Sequence, residues 1–110
     1  MPVKTLDLEE IQAAAEQACE LMRVLANPDR LLILCQLSQQ EMCVSELEEN
    51  LGIVQPTLSQ QLTVLRNAKL VTTRREGKNI FYELSSPPAL EVISTLYRHF
   101  CSGKPRRQRR

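Results

Sequence analysis

A pair of short apolar repeats on either side of a glycine is the feature that most constrains the fold. Within residues 44–51, and again within residues 56–67, apolar side chains recur every three or four positions, as on one face of a helix. Gly52 stands where a helix commonly ends, and Pro56 suits a first helical turn. Two short helices joined by a tight turn predict a helix-turn-helix. The apolar positions of the first helix are Val44, Leu47 and Leu51, and the second helix would bury a stripe of Leu58, Leu62 and Leu65.

A β-hairpin is predicted directly after this pair of helices. Leu70–Arg75 and Asn79–Leu84 have the composition of strands, and they flank the segment Glu76-Gly77-Lys78. The glycine in that segment tolerates the backbone angles that a tight turn requires. Alternation along the second strand predicts that three side chains point inward: Ile80, Tyr82 and Leu84.

Three further helices are predicted around these elements. Residues 8–25 have apolar side chains at helical spacing, and Asn27-Pro28-Asp29 separates them from LLILCQL at 31–37, which is apolar on nearly all sides and predicts a buried central helix. A last helix follows Pro87-Pro88. The expected order is therefore α-α-α-α-β-β-α, a mainly α protein with a small β-hairpin and the architecture of a winged helix-turn-helix. The last helix would carry on one side Leu90, Ile93, Leu96, Tyr97 and Phe100.

The net charge of +1 hides a strong asymmetry between the halves of the chain. Residues 1–50 carry three Lys or Arg and ten Asp or Glu, a balance of −7, whereas residues 51–110 carry eleven Lys or Arg and three Glu, a balance of +8. A basic half that contains a helix-turn-helix favours a polyanionic partner, and the acidic half would keep the rest of the molecule away from it. Chance segregation of solvated surface charge is the alternative.

The second helix of the pair is predicted to read double-stranded operator DNA. Its outward face has small or amide side chains without an acid, and its first turn presents backbone N–H groups that attract phosphate. Gln pairs with adenine through two hydrogen bonds, and Ser or Thr can bond to any base edge. The candidate base contacts are Gln55, Thr57, Ser59, Gln60 and Thr63. The hairpin would form the wing, and its candidate contacts to phosphate or the minor groove are Arg74, Arg75, Lys78 and Asn79.

One domain is expected over residues 1–103, because 110 residues are too few for two. Residues 104–110, KPRRQRR, form a basic tail with no means of folding alone. The first and last helices each show an apolar stripe that one small domain would leave uncovered. Pairing them with a second copy would bury both stripes and set two DNA-reading helices about one DNA turn apart. A homodimer through these two helices, bound to an inverted repeat, is therefore expected.

Other classes of function find little support in the sequence. The chain has one histidine, no glycine-rich phosphate loop and no acid pair in a candidate cleft, so neither an enzyme activity nor a cofactor is expected. No apolar run approaches the ~20 residues of a membrane span, and no signal peptide is visible, so we expect a cytoplasmic protein. A winged helix that binds only other proteins is the alternative.

Four cysteines occur without any CxxC pair, at Cys19, Cys35, Cys43 and Cys101. A structural disulfide framework is not expected in a reducing cytosol. The remaining roles are inert core thiols, metal ligands or a redox switch. From residue type alone, a cysteine inside an apolar helix, such as Cys35, is more often a small core side chain.

Residues 44–84, VSELEENLGIVQPTLSQQLTVLRNAKLVTTRREGKNIFYEL, resemble the ArsR/SmtB family of repressors, and LANPDRLLILCQL at 25–37 is similar to the second helix of that family. The likeness covers about residues 8–102 and implies a homodimeric repressor that leaves its operator when an inducer binds. Many members have Ser or Thr where this chain has Val54, so its DNA-reading helix is expected to lack an N-cap worth roughly 1 kcal/mol.

Metal-sensing members of this family imply ligand sets that this chain does not contain. One set is a C-x-C pattern at the start of the third helix, where this chain has Cys43 followed by Ser45. Another is a cluster on the last helix, where this chain has a single histidine, His99. A tetrahedral site needs three or four ligands, so no metal is expected, and a metal-responsive repressor is the alternative.

The persulfide-sensing, BigR-like branch of the family is the better match. Its members carry one cysteine on the second helix and one near the end of the last, which correspond here to Cys35 and Cys101. The resemblance implies that one or more added sulfur atoms bridge the two thiols, and such a bridge tolerates a sulfur separation that a disulfide cannot span. Attack requires a thiolate, so a lowered pKa or a nearby positive charge is expected, with Arg98 and Lys104 as candidates.

The resulting prediction is a repressor that binds its operator when reduced and releases it when a persulfide or polysulfide links Cys35 to Cys101. Cys19 and Cys43 are expected to be bystanders, with Cys43 as an alternative resolving thiol. A redox-controlled anti-silencer of the same fold, which activates transcription by displacing a nucleoid protein, is a further alternative, because its DNA contacts would look alike.

Overall fold

The computed structural model describes residues 7–101 and confirms the predicted order of helices and hairpin. The predicted basic tail, residues 104–110, lies outside the described residues. One strand, β1, was not predicted. The elements are α1 Leu8–Leu25, α2 Pro28–Leu37, β1 Met42–Cys43, α3 Val44–Leu51, α4 Thr57–Asn67, β2 Val71–Glu76, β3 Asn79–Leu84 and α5 Pro87–Phe100.

Helix α2 forms the centre of the molecule and contacts α1, α3, α4 and α5. It begins as predicted: Pro28 occupies its first turn, and the Asn27 side chain accepts a hydrogen bond of 3.0 Å from the backbone N–H of Arg30. Ile33, Leu34 and Leu37 are buried. The prediction of burial on nearly all sides was too strong, because Leu32 on the opposite side is exposed.

The helix-turn-helix forms as predicted from its two apolar repeats. Gly52 ends α3 with a positive φ of 72°, and its N–H donates to the Glu48 carbonyl at 2.9 Å. Helix α4 begins at Thr57, one residue after the expected Pro56. Its inner stripe is completely removed from solvent and packs against α2, which fixes the direction of the opposite face. The stripe consists of Leu58, Leu62 and Leu65.

The hairpin belongs to a three-stranded antiparallel sheet in the order β1-β3-β2. Glu76 pairs with Asn79, so the turn has two residues, and Gly77 adopts a φ of 63°. Strand β1 was not predicted, because its two residues are too few to show an alternation. Met42 in β1 pairs with Tyr82 in β3. The prediction that Ile80 points inward was wrong. It is 37% exposed and pairs with Arg75, next to the pair that flanks the turn.

The first and last helices retain large uncovered apolar surfaces. In α1 only Leu25 is buried, and Leu8 is 65% exposed. In α5 the predicted single stripe is divided: Ile93 is buried with Ala89, whereas three apolar side chains face solvent, up to 77% for the last of them. Those three are Leu90, Tyr97 and Phe100. Within residues 7–101, no helix is both long and apolar enough to cross a membrane.

The turn from α4 to β2 contains one strained residue. Lys69 has a φ of 65°, a left-handed conformation that a side chain disfavours. The Lys69 N–H donates to the Arg66 carbonyl and the Leu70 N–H to the Leu65 carbonyl, each at 3.0 Å. This pair of hydrogen bonds is the Schellman motif, which normally has glycine at the left-handed position. The burial of Leu65 and Leu70 on either side holds the motif in place.

Lys69→Gly is therefore expected to stabilise the protein by about 1 kcal/mol, because glycine adopts positive φ without a Cβ penalty. Thermal unfolding followed by circular dichroism should show a rise in Tm of about 5 °C. Lys69→Ala is the control, since it removes the same side-chain charge and keeps the strain. A rise of equal size in Lys69→Ala would attribute the gain to the lost charge and contradict this account.

Candidate nucleic-acid interface and thiol pair

The outward face of α4 is the first part of the candidate DNA interface. The side chains on this face are exposed, whereas those on the inner stripe are buried, as the spacing predicts. No acidic residue lies in the first turn of α4, so no carboxylate there opposes the attraction of the helix dipole for phosphate. Thr57, at the first position of the helix, is half-buried. The exposed polar residues are Ser59, Gln60, Thr63 and Asn67.

Val54 provides no side-chain N-cap for α4, and the side chain of Gln55 takes this role. The Gln55 Oε1 atom accepts a hydrogen bond of 3.1 Å from the backbone N–H of Ser59 and another of 2.7 Å from its hydroxyl. One of the unpaired N–H groups at the start of α4 thereby gains a partner. The expected loss of a cap is thus offset by Gln55, whose amide oxygen is engaged within the free protein.

Gln60 is the predicted base contact whose side chain is best placed for a bidentate contact. The Thr63 hydroxyl donates to the Ser59 carbonyl at 3.0 Å, one turn earlier, so its hydrogen is already used. In the part of the chain that the structure describes, the Gln60 amide makes no such bond and is exposed. An amide with both its oxygen and its NH₂ group available is what pairing with adenine requires.

Arg74 is held in the wing by two carboxylates. Its Nε donates to the two carboxylate oxygens of Glu41 at 3.0 and 3.1 Å, and its Nη1 donates to Glu76 at 3.0 Å. The guanidinium also lies 4.9 Å from the ring centroid of Phe81, within cation–π range. The hydrogen bond from Arg74 lowers the pKa of Glu41, and these carboxylates raise the pKa of Arg74 above its ordinary value.

Sequence reasoning missed Glu41, because the residue is 33 positions from Arg74 and no local pattern links them. Its carboxylate links the middle of β2 to the segment before β1. Phosphate would have to compete with two carboxylates for Arg74. The other predicted wing residues, Arg75, Lys78 and Asn79, are exposed beside the turn.

The structure brings the two predicted sensing thiols near one another. Cys35 lies on α2, half-buried against the core, and Cys101 directly follows α5 and is exposed. Burial raises the pKa of the Cys35 thiol, and the charge of the Cys101 thiolate raises that pKa further. The second effect requires the two sulfur atoms to lie within electrostatic range.

The expectation of an activated thiolate does not hold at Cys35, because both influences on its pKa favour the protonated thiol. The exposed Cys101 is the more accessible of the two to a reagent in solution. Of the cations considered as activators, Arg98 is exposed in the last turn of α5, and Lys104 lies outside the described residues.

The other two cysteines lie in different surroundings. Cys19 is exposed on α1. Cys43 is buried at the start of α3, where its sulfur lies 3.3 Å from the Ser45 hydroxyl and its backbone N–H donates to Glu46 at 3.0 Å. Within residues 7–101, no three His, Cys, Asp or Glu side chains are grouped so as to hold a metal ion. His99 is exposed.

A cleft of about 740 Å³ lies between α1, the end of α4 and the beginning of α5. Lys69 and Asn67 line one side of this cleft, and Arg23 and Val24 line the other. None of the predicted DNA contacts or sensing thiols borders it. The cleft separates much of α1 from the body of the molecule.

Comparison with known proteins places this geometry in a family. Residues 27–73, which run from the start of α2 into β2, match the model of the bacterial regulatory proteins of the arsR family. A biofilm growth-associated repressor of Agrobacterium fabrum is 48% identical over 104 residues, covering 90% of this chain and 89% of the relative. The chain belongs to the ArsR family.

Solved structures agree with this assignment. The transcriptional repressor BigR from Xylella fastidiosa superposes with a TM-score of 0.80 at 42% identity, over 88% of this chain and 99% of BigR. Reduced HlyU from Vibrio cholerae superposes with a TM-score of 0.83 at 40% identity, over 86% of this chain and all of HlyU. The chain is thus a BigR-like, DNA-binding winged-helix regulator of transcription and not an enzyme.

A first prediction concerns Gln60. Gln60→Ala should weaken binding to a cognate operator by about 1–3 kcal/mol, roughly 5- to 150-fold, because a bidentate base contact is lost. The operator is obtained by selecting random-sequence duplexes with the wild-type protein, and affinity is measured by fluorescence anisotropy at fixed salt. Gln39→Ala, a change at an exposed glutamine after α2, is the control. An equal loss on unselected DNA would show that Gln60 does not read bases.

A second prediction concerns the two thiols. At neutral pH iodoacetamide should alkylate Cys101 faster than Cys35, because Cys35 is half-buried and its raised pKa leaves less thiolate. The rate at Cys35 should rise steeply as the pH passes above the ordinary cysteine pKa. Peptide mass spectrometry after timed quenching measures both rates, and protein unfolded in urea supplies the reference. Faster labelling of Cys35 in the folded protein would contradict the assignment of Cys101 as the first thiol to react.

Proposed function

We propose that this chain is a homodimeric repressor that binds an inverted-repeat operator when reduced and releases it when reactive sulfur species bridge Cys35 and Cys101. DNA binding rests on the outward polar face of α4 beside the exposed cations of the hairpin. Support for sensing comes from the packing of α2, which carries Cys35, against α5, which Cys101 directly follows; the charge of the Cys101 thiolate raises the pKa of Cys35. The chain would act in the cytoplasm, where DNA and reduced thiols coexist.

The dimer is proposed to form through α1 and α5. These helices carry most of the large apolar side chains that one copy leaves exposed, including Leu8 and Met22 on α1 and Tyr97 and Phe100 on α5. An apolar surface of this extent commonly marks an interface. A twofold axis through these helices would place two α4 helices on successive major grooves of an inverted repeat.

At the DNA, α4 would enter the major groove. Gln60 would make the principal base contact, with Gln55, Thr57, Ser59 and Thr63 at or near base edges. The hairpin would place Arg75, Lys78 and Asn79 on phosphates or in the adjacent minor groove. Arg74 would contribute after exchange of a carboxylate for phosphate, and otherwise it holds the hairpin at its angle.

The proposed sensing reaction begins at Cys101, the more accessible thiol. Its thiolate attacks the outer sulfur of a persulfide, RSSH, which forms a perthiol on Cys101 and releases RS⁻. The perthiolate attacks a second RSSH in the same way, which lengthens the chain by one sulfur and releases another RS⁻. The Cys35 thiolate then attacks the middle sulfur, expels HS⁻ and closes a bridge of three sulfur atoms. Two protein thiols are oxidised, and two persulfides are reduced to two RSH and one H₂S.

The bridge would alter DNA binding because of the helices that it joins. Cys35 lies on α2, which packs against α4, and Cys101 lies at the end of α5, the proposed dimer helix. Tying α2 to the dimer helix would change how the two α4 helices are set relative to the twofold axis. A coupling of about 2.7 kcal/mol would lower operator affinity about a hundredfold.

The relatives support this proposal and also supply its alternative. The biofilm growth-associated repressor of Agrobacterium fabrum and BigR favour repression. The HlyU protein of Vibrio cholerae is a transcriptional activator, which favours an anti-silencer of the same fold as the second candidate. A reporter gene fused to the operator separates the two, because deletion of the regulator raises expression from a repressed gene and lowers it from an activated one.

The proposed reaction predicts a specific product. Treatment of the reduced protein with glutathione persulfide should join the Cys35 and Cys101 peptides in a product heavier than a disulfide by whole sulfur atoms. Operator affinity should fall about a hundredfold in parallel. Cys35→Ser and Cys101→Ser should bind the operator and not release it, whereas Cys19→Ser and Cys43→Ser, the controls, should respond like the wild type. Operator affinity that ignores persulfide, or a bridge made through Cys43, would exclude this mechanism.

A further inference from the structure

Arg30 joins three helices through one guanidinium. From the first turn of α2, its Nε donates to the Val24 carbonyl at 2.6 Å and its Nη2 to the Arg23 carbonyl at 3.4 Å, both in the last turn of α1. Its Nη1 donates to the Gln61 Oε1 atom on α4 at 2.9 Å. The residue and its glutamine partner are half-buried, so these bonds are partly shielded from water.

Local helix preferences do not explain a cation at this position. The first turn of α2 has the positive end of its own helix dipole, which disfavours an arginine. The last turn of α1 is the negative end of the α1 dipole, and its carbonyls have no hydrogen-bond partners within the helix. Arg30 supplies a positive charge to this dipole end and N–H donors to these carbonyls. The position is therefore favourable only because α1 ends against α2.

The link to Gln61 reaches the DNA-reading helix from its inner side. Gln61 is half-buried and follows Gln60, which faces outward, so the two neighbouring side chains point in different directions. The cleft of about 740 Å³ lies between the rest of α1 and the end of α4. Arg30 therefore provides a polar connection between α1 and α4 beside a region where the two helices are separated.

We propose that Arg30 is a positioning residue that fixes the position of α4, the DNA-reading helix, relative to α1. The Arg30–Gln61 hydrogen bond would thereby determine which spacing between the two DNA half-sites the dimer accepts. This inference rests on the proposed dimer, in which α1 lies at the twofold axis. With α4 tied to α1, the distance and rotation between the two α4 helices are fixed. Without the tie, only the packing of the α4 leucines against α2 would hold the helix, and it would adapt more readily to a shifted half-site.

The test compares two DNA duplexes: the operator selected by the wild type, and the same operator with one base pair inserted between its half-sites. One base pair moves a half-site by about 3.4 Å and rotates it by about a tenth of a turn. The wild type should bind the lengthened duplex at least tenfold more weakly. Gln61→Leu, which keeps the size of the side chain and removes the acceptor, should bind the operator more weakly and discriminate between the duplexes less than threefold.

Three further variants make the result specific. Gln61→Glu restores an acceptor for Arg30 and should restore the ratio of the two affinities, although its charge weakens both equally. Arg30→Lys keeps the charge but replaces three separately placed donor nitrogens by one, so it should behave like Gln61→Leu. Gln36→Leu is the matched control, because the only described hydrogen bond of the Gln36 side chain is to Asn50 on α3, at 3.2 Å. It should discriminate like the wild type.

The outcomes separate this inference from the proposed function. If Gln61→Leu discriminates between the duplexes as strongly as the wild type, the positioning role of Arg30 is wrong, whatever happens to Tm. If the wild type sediments as a monomer on DNA, the proposed dimer is wrong and this inference is overturned with it. Failure of persulfide to release the operator would count against the sensing reaction alone, since every affinity here is measured on reduced protein.

Discussion

The burial of three leucines on one side of α4 is the constraint on which the rest of the structure depends. Leu58, Leu62 and Leu65 are completely removed from solvent, and each such side chain contributes about 1.5–3 kcal/mol by leaving water. Rotating α4 to expose them would cost most of the stability of a domain this small. The outward direction of Gln60 and its polar neighbours follows from this burial, and the proposed contact of the helix with bases depends on it.

Helix α2 connects that surface to the rest of the molecule. It packs against the DNA-reading helix on one side and against α5 on another, and it carries both Arg30 and Cys35. A change at either residue can therefore alter the position of α4 without a rearrangement of the core. The position of the hairpin depends on a different contact, because the ion pair of Arg74 and Glu41 links β2 to the segment before β1. The two parts of the DNA interface thus depend on different contacts.

The sequence was sufficient to predict helix ends and turns that depend on neighbouring residues. The start of α2 and the end of α3 follow from Asn27, Pro28 and Gly52, and a tight turn at Gly77 was predicted, although with Glu76 in the turn and not in the strand. Each of these positions depends on its immediate neighbours. Contacts between distant residues were not predictable. Glu41 on Arg74, Gln61 on Arg30 and the strand β1 depend on tertiary packing that no periodicity records. The exposure of Ile80 likewise depends on tertiary packing.

Hydroxyl-radical footprinting of the reduced protein on its selected operator tests the central claim most directly. Two polar α4 faces on a symmetric pair of subunits predict two protected segments of equal strength, related by a twofold axis and centred about one helical turn, 10–10.5 base pairs, apart. Flanking protection from the two hairpins should appear outside them. A single protected segment without a symmetric counterpart, or protection that is the same on unrelated sequences, would contradict the account.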